Sequence, residues 1–235
     1  MDRTLLNIKN LSAWYTSERK VLSDFSIELN EHEVVGLIGL NGAGKTTFLK
    51  TLSGLHETFS SDGIWLHGRS VKFRDKDFKN CRYTVFAEDN SFQYFTFQEY
   101  LSYVFAAYRK ELPDITALIQ GFHFKDDTDV LLKDLSTGNK KKAFLITAFA
   151  LKPELLLLDE PVNGLDFQST EFLYQRIAGY KDYGTVLFSS HILESITLTS
   201  DRVLVLENGH IRQTFESGHI NAADIREALC CENDV

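Results

Sequence analysis

The chain has 235 residues, 43% of them hydrophobic, and is long enough to bury a core as one large domain or two closely packed subdomains. Its 33 acidic and 25 basic residues give a formal charge of −8, which argues against nucleic acid as the main partner. The polar start predicts no signal peptide, and the longest apolar stretch, 143–151, is too short to span a bilayer, so a membrane role would go through another chain.

The first third of the chain predicts strands on either side of one glycine-rich turn. Residues 5–15 and 20–30 alternate imperfectly between apolar and polar side chains, so they are expected to form a pair of strands. The apolar run 33–39 predicts a buried strand, and residues 45–55 predict a helix that Gly54 would end. Residues 63–71 predict one further strand.

The turn between that buried strand and that helix has the composition of an anion site. Its glycines permit backbone angles and close approaches that a side chain would block. Free N–H groups and the positive end of the helix dipole would face a bound phosphate. The spacing G-x-x-x-x-G-K-[ST] is that of a phosphate-binding loop, which predicts a nucleoside triphosphate as ligand. The candidate binding residues are Gly39, Leu40, Asn41, Gly42, Ala43, Gly44, Lys45, Thr46 and Thr47.

The rest of the chain turns helical and then alternates between strands and helices. Residues from about 96 to 151 carry mostly helical signals. Residues 154–161 and 184–190 are short apolar runs, typical of central strands in a parallel sheet that is covered on both faces. The pattern indicates an α/β core with an antiparallel layer and a helical insertion.

Local signals near the C-terminus predict a hairpin and a closing helix. The pair Asn208-Gly209 stands between two strand-like runs, as in a tight β-turn. Asn221 would cap a helix over 221–230. The three cysteines have no metal-ligand spacing and are expected to be reduced thiols: Cys81, Cys230 and Cys231.

Two acids end one of the apolar runs, in "LLLLDEP". Buried carboxylates are costly unless they have a task, and in a phosphate-loop fold this strand end lies beside the nucleotide. Asp159 is placed to hold Mg²⁺ together with Thr46. Glu160 is then available to orient or deprotonate an attacking water.

A second helix start lies in "LSTGNKKK", residues 135–142. Ser136 is a candidate N-cap, and Gly138 leaves the backbone open. By itself this segment predicts no more than a capped helix. The three lysines at 140–142 are expected to form a solvated face.

In their order along the chain, these motifs resemble those of the nucleotide-binding subunit of an ABC transporter, over nearly the whole length. An aromatic residue of that family stacks on adenine, and Tyr15 occupies the matching position, with Trp14 as the alternative. Five motifs carry the resemblance: the Walker A motif at 39–46, the signature at 135–139, the Walker B segment at 155–160, the D-loop at 163–166 and the switch histidine at His191.

The resemblance implies ATP and Mg²⁺ as ligands and a head-to-tail pair of ATPase subunits. Lys45, Glu160 and His191 would then serve catalysis, with His191 sensing phosphate. The signature residues Ser136, Thr137 and Gly138 would meet the ATP of the second subunit across the interface, through the helix dipole and free N–H groups. Asn163 and Asp166 either tie the two sites together or only shape a turn.

Three positions depart from the family's pattern. Glu88 stands where a glutamine is usual, and would contact Mg²⁺ or the attacking water if it is not simply a surface acid. Thr137 and Asn139 replace a glycine and a glutamine of the signature. Glu88 and the "LSTG" form resemble subunits of exporters.

Aromatic residues crowd the segment just after Glu88. The segment has more aromatic side chains than a solvated turn needs: Phe92, Tyr94, Phe95 and Phe97. The family docks its membrane subunits near this segment, so part of it is expected to receive a helix of a partner. Packing inside the helical region is the alternative.

The resulting prediction is an α/β fold: a P-loop NTPase core with an antiparallel β subdomain, formed by 1–88 and 152–235, and a helical signature subdomain at 89–151. Its predicted function is an ATPase subunit at the cytoplasmic face of the membrane that drives transport through separate integral membrane permease subunits, with export as the expected direction. One alternative is a soluble ABC-type ATPase acting outside transport. A small-molecule phosphotransferase would leave the signature and D-loop without a role.

Overall fold

The computed structural model describes residues 3–16 and 19–230. Long strands and the phosphate-loop helix form its first part, and a short helix leads into the strand that precedes Glu88. The elements of this part are β1 (Thr4–Thr16), β2 (Arg19–Asn30), β3 (Val34–Ile38), α1 (Lys45–Leu52), β4 (Phe59–Ser60), β5 (Gly63–Leu66), β6 (Arg69–Ser70), α2 (Lys76–Cys81) and β7 (Arg82–Val85).

Helices dominate the middle of the chain, and strands alternate with helices after it. The elements here are α3 (Phe97–Tyr108), α4 (Thr116–Gly121), α5 (Thr137–Leu151), β8 (Leu155–Asp159), α6 (Phe167–Ala178), β9 (Thr185–Ser190), α7 (Leu193–Thr199), β10 (Arg202–Glu207), β11 (His210–Glu216) and α8 (Ala222–Cys230).

The first sheet is antiparallel and has the strand order β2-β1-β5-β6, with β4 also paired to β1. The predicted pairing of 5–15 with 20–30 is confirmed. The prediction of one strand over 63–71 is wrong, because the chain reverses after Leu66. His67 and Gly68 both have positive φ, 48° and 74°, and the reversal places β6 antiparallel to β5.

The second sheet has the order β11-β10-β3-β9-β8-β7, and all of its pairs except β10–β11 are parallel. Strands β3, β8 and β9 are buried throughout, as predicted for central strands. Because these strands run in parallel, their carboxyl ends meet at one edge. Asp159 is there in register with Ser189, and Ile38 with Ser190.

Helices α3, α4 and α5 lie between β7 and β8, as the predicted helical insertion requires. Thr96 and Glu99 form a capping box at the start of α3, and Ser136 caps α5 by accepting from Asn139 N–H at 3.1 Å. The predicted solvated face at 140–142 is wrong for two of its three lysines. Lys141 and Lys142 are buried, because α5 is covered on all sides from residue 141 to 151. The α/β fold with an antiparallel layer is confirmed.

Both predicted signals near the C-terminus are present. Asn208 and Gly209 have φ values of 47° and 80° and connect β10 to β11. Asn221 Oδ1 accepts from Asp224 N–H at 2.8 Å, which caps the last helix. Cys81 is buried and Cys230 exposed, both as free thiols, and Cys231 lies outside the described residues. None of the helices described is long and apolar enough to cross a membrane.

Candidate nucleotide-binding and hydrolysis site

The phosphate loop joins β3 to α1 and depends on glycine at two close approaches. Gly44 has φ 111°, and a Cβ there would lie 2.8 Å from Leu22 Cδ2. A Cβ on Gly39 would lie 2.3 Å from the carbonyl oxygen of Leu206. A side chain at either position would push the loop away from its neighbours, so the glycine spacing is a packing requirement as well as an anion signal.

Lys45 begins helix α1, and its side chain is almost completely buried. Its Nζ donates a hydrogen bond to Gly39 O at 2.7 Å and lies 3.7 Å from Glu160 Oε1. The ammonium therefore stands between the loop backbone and the acid that ends the Walker B segment. The Lys45 charge therefore adds to the positive end of the α1 helix dipole beside the phosphate loop.

Thr46 and Asp159 meet across the edge of the sheet. Thr46 Oγ1 lies 3.1 and 3.0 Å from the two carboxylate oxygens of Asp159. Ser189 donates from Oγ to Asp159 Oδ1 at 2.7 Å and accepts from Glu160 N–H at 3.0 Å. No sequence motif points to Ser189, although its register opposite Asp159 follows once β8 and β9 are recognised as neighbours.

Glu160 is held in place by contacts on both carboxylate oxygens. Oε2 lies 2.7 Å from His191 Nδ1 and accepts more weakly from His191 N–H at 3.3 Å, while Oε1 faces Lys45. A carboxylate only accepts hydrogen bonds, so Nδ1 of His191 carries the proton in this contact. Glu160 also has a positive φ of 46°, which is uncommon for a residue with a side chain and typical of functional positions.

A cavity of about 540 Å³ opens beside the phosphate loop, within the usual range for small-molecule sites. Tyr15 lines it and is 57% exposed, with its hydroxyl 3.4 Å from Thr47 Oγ1 and its ring edge-on to His56. Trp14 is not among the lining residues described. The described lining residues are Tyr15, Thr16, Arg19, Val21, Asn41, Gly42, Gly44, Lys45, Thr46, Thr47 and Glu160.

Glu88 and the signature residues are not among the residues described as lining that cavity. Glu88 is exposed in the segment after β7, where it lines a separate cavity of about 190 Å³ together with Thr137. Ser136 and Gly138 are likewise absent from the described lining of the phosphate-loop cavity. One chain therefore does not enclose its phosphate loop with its own signature.

The D-loop packs directly on the start of the signature helix. A Cβ on Gly138 would lie 2.2 Å from Gly164 O, so the two backbones touch. Asp166 caps α6 by accepting from Ser169 N–H at 2.8 Å and pairs with Lys142 at 2.6 Å. The Lys142 ammonium holds the pKa of the Asp166 carboxyl well below its usual range. Asn163 is exposed in the turn just before these contacts.

The fold and this site define a P-loop protein that binds a nucleoside triphosphate: a glycine loop runs from a parallel strand into a helix, with a lysine and two acids beside it. A family model described as ABC transporter matches residues 22–163. The chain belongs to this family, as an ATP-binding and ATP-hydrolysing cassette of an ABC transporter.

Relatives and solved structures agree with this assignment. The chain is 34% identical to the putative ABC transporter ATP-binding protein AlbC of Bacillus subtilis, over 92% of this chain and 93% of AlbC. It is 30% identical to the phosphonates import ATP-binding protein PhnC of Treponema denticola, over 88% of each chain.

Two solved structures share the fold. An ATP-binding subunit of an ABC transporter superposes with a TM-score of 0.82 at 29% identity, covering 96% of this chain and 93% of that one. A dimeric cassette in a post-hydrolysis state, bound to ADP and Pi, superposes with a TM-score of 0.78 at 18% identity, covering 90% and 98%.

Proposed function

We propose that this cassette hydrolyses ATP to drive export through separate integral membrane permease subunits, bound peripherally at the cytoplasmic face of the membrane. The observation that carries the hydrolytic part is the placement of Glu160 between Lys45 and His191, at a strand end beside the phosphate loop. Export is supported by Glu88 and the "LSTG" form of the signature, both of which resemble exporter subunits.

The residues around the phosphate loop have separate proposed roles. Lys45 and the N–H groups of the phosphate loop bind the phosphates, and Tyr15 stacks on adenine. Thr46 and Asp159 offer three oxygen atoms at one point, which suits the oxygen ligands that Mg²⁺ prefers, and Glu88 is a further candidate ligand. Bound Mg²⁺ would neutralise charge on the phosphates.

Glu160 is the proposed general base. Its carboxylate takes a proton from water while the water oxygen forms a bond to the γ-phosphorus. The bond from that phosphorus to the bridging oxygen of ADP breaks, so the products are ADP and phosphate. His191 fixes one oxygen of Glu160 through Nδ1–H and so leaves the other for the water.

A second ATPase subunit, either this chain or a related one, completes each site. Ser136, Thr137 and Gly138 are the residues proposed to reach the partner's ATP, since they do not line the cavity around their own phosphate loop. Asn163 and Asp166 are proposed to connect the two sites, because Gly138 and Gly164 touch and Lys142 pairs with Asp166. Residues 89–151 act in this proposal as the helical subdomain that presents the signature.

Mixing two inactive variants tests the composite site in a homodimer. Lys45→Ala removes the phosphate lysine, and Ser136→Asp keeps a good N-cap for α5 while it places a negative charge before the partner's phosphate. Each variant alone is expected to be inactive. Mixed dimers should regain one intact site, and ATPase assays across mixing ratios should show a maximum between the pure variants. No recovery in a preparation with demonstrated subunit exchange would contradict action on the partner's ATP.

The aromatic segment after Glu88 divides into a buried and an exposed part. Phe97 is buried in the core, and Phe95 is partly buried against it. Tyr94 is 75% exposed, and Phe92 contacts Tyr103 at 5.2 Å between ring centroids. The exposed rings form the surface proposed to receive a helix of the membrane subunit.

Tyr94→Glu combined with Tyr103→Glu should release the membrane partner and leave the cassette folded, because both rings are exposed and a charge cannot be buried against an apolar helix without a partner. Co-purification from detergent-extracted membranes measures this, and Leu198→Glu, an exposed apolar position elsewhere, is the control. Retention of the membrane protein by the double variant would contradict the docking surface. Wild-type cassette that brings down no integral membrane protein would favour the soluble alternative.

A further inference from the structure

Helix α5 carries two buried ammonium groups, and each contacts a loop beside the nucleotide site. Lys141 is 3% exposed and Lys142 5% exposed. Lys142 pairs with Asp166 and so fastens the D-loop. Lysine is almost never fully buried unless its charge is satisfied. The partner of Lys141 is of a different kind, because it is a backbone segment.

The Lys141 ammonium donates to two consecutive carbonyls. Nζ lies 2.6 Å from Phe86 O and 2.7 Å from Ala87 O. These carbonyls follow β7 and immediately precede Glu88. Two charge-assisted hydrogen bonds to successive peptide groups fix the direction of the backbone at this point. They therefore also fix the position of the Glu88 backbone.

The Lys141 ammonium lies among several charged side chains. Burial lowers the pKa of Lys141 to about 8, and the charges of Asp159, Asp89, Glu160 and Glu88 oppose that effect. The ammonium is thus close enough to Asp159, Glu160 and Glu88 for their charges to act on it. The cavity of about 190 Å³ lies beside it, between the segment 86–90 and the first turns of α5. Lys141 bridges this space.

We propose that Lys141 is a positioning residue that fixes the segment 86–88 to helix α5, so that Glu88 and the signature residue Ser136 move as one body. Glu88 belongs to the chain's own ATP site in the proposed function, and Ser136 faces the partner's site. The inference rests on that proposed function. Through Lys141, the position of Glu88 at the chain's own ATP site is coupled to the orientation of Ser136 at the partner's ATP site.

Three variants separate positioning from stability. Lys141→Met keeps a long apolar stem without a donor, and Lys141→Gln keeps a donor without charge. Lys110→Met is the matched control, since Lys110 Nζ also donates to two carbonyls, Leu151 O at 2.8 Å and Lys152 O at 3.3 Å, at the other end of α5. All three are made in the full chain, with its membrane partner where one co-purifies.

Because small displacements of a positioned group can lower rates strongly, Lys141→Met should reduce kcat by about 10–100-fold and change the Kd for ATP by less than about threefold. Lys141→Gln should recover part of kcat, and Lys110→Met should resemble wild type. Amide hydrogen exchange at residues 88–91 should accelerate in Lys141→Met only. Equal losses of kcat in the Lys141→Met and Lys110→Met variants would overturn the proposal in favour of general helix stability.

A double-mutant cycle with Glu88→Gln tests whether Lys141 acts through Glu88. If it does, Lys141→Met should cost little further activity once Glu88 is changed. Additive effects, or a harmless Glu88→Gln beside a harmful Lys141→Met, would overturn the proposal. Failure of the wild-type chain to hydrolyse ATP, alone and with its membrane partner, would instead contradict the proposed function.

Discussion

Glu160→Gln should lower ATP turnover by about 10²–10⁴-fold, the usual contribution of general-base assistance, and leave ATP binding nearly intact. Glutamine keeps the size of the side chain, and its amide oxygen can still accept from His191 Nδ1–H. The change removes the basic oxygen that faces the water and Lys45. Because hydrolysis opens the proposed dimer, closed dimers should accumulate with Mg·ATP.

Size-exclusion chromatography with Mg·ATP, run beside ATPase assays, measures both effects, with the membrane partner present if the isolated cassette dimerises weakly. Glu154→Gln is the control, because Glu154 precedes the other end of the same strand and is exposed. Turnover like that of wild type in Glu160→Gln would exclude Glu160 as the base. Glu88 would then be the next carboxylate to test.

Short-range patterns made the phosphate loop and the strand ends predictable. Gly39, Gly44 and Lys45 lie within seven positions, and their geometry is set by the strand before them and the helix after them. The buried strand that ends in Asp159 is equally local, since a continuous apolar run suits a strand covered on both faces. These features required no knowledge of distant contacts.

Contacts between distant segments could not be predicted in the same way. Three lysines in a row indicate a solvated face, yet Lys141 is buried because segment 86–87, more than fifty positions away, supplies its acceptors. Ser189 looks like an ordinary strand residue until β8 and β9 pair. The sequence does not predict the hairpin at His67 and Gly68, because its turn lies inside a run whose pattern is otherwise that of one strand. Helices α2, α6 and α7 also went without a specific prediction.

Lys45→Ala should weaken ATP binding by about 10–100-fold or more and abolish turnover. A hydrogen bond from a charged donor contributes about 1.5–3 kcal/mol, and about 1.4 kcal/mol corresponds to a tenfold change in Kd. Titration with a fluorescent ATP analogue measures the affinity. Lys50→Ala is the control, since Lys50 lies in the last turn of the same helix. Lys45→Met, which keeps the buried stem, separates the loss of charge from a loss of packing.

The two variants should differ in the state that they accumulate. Glu160→Gln should bind ATP without hydrolysing it, so it should elute as a dimer with Mg·ATP. Lys45→Ala should stay monomeric under the same conditions, because the proposed interface closes around bound nucleotide. The contact of 3.7 Å between Lys45 and Glu160 links the two residues in space, so equal affinity for ATP in both variants would show that the ammonium serves Glu160 rather than phosphate. Undiminished turnover in Lys45→Ala would remove the phosphate-loop assignment altogether.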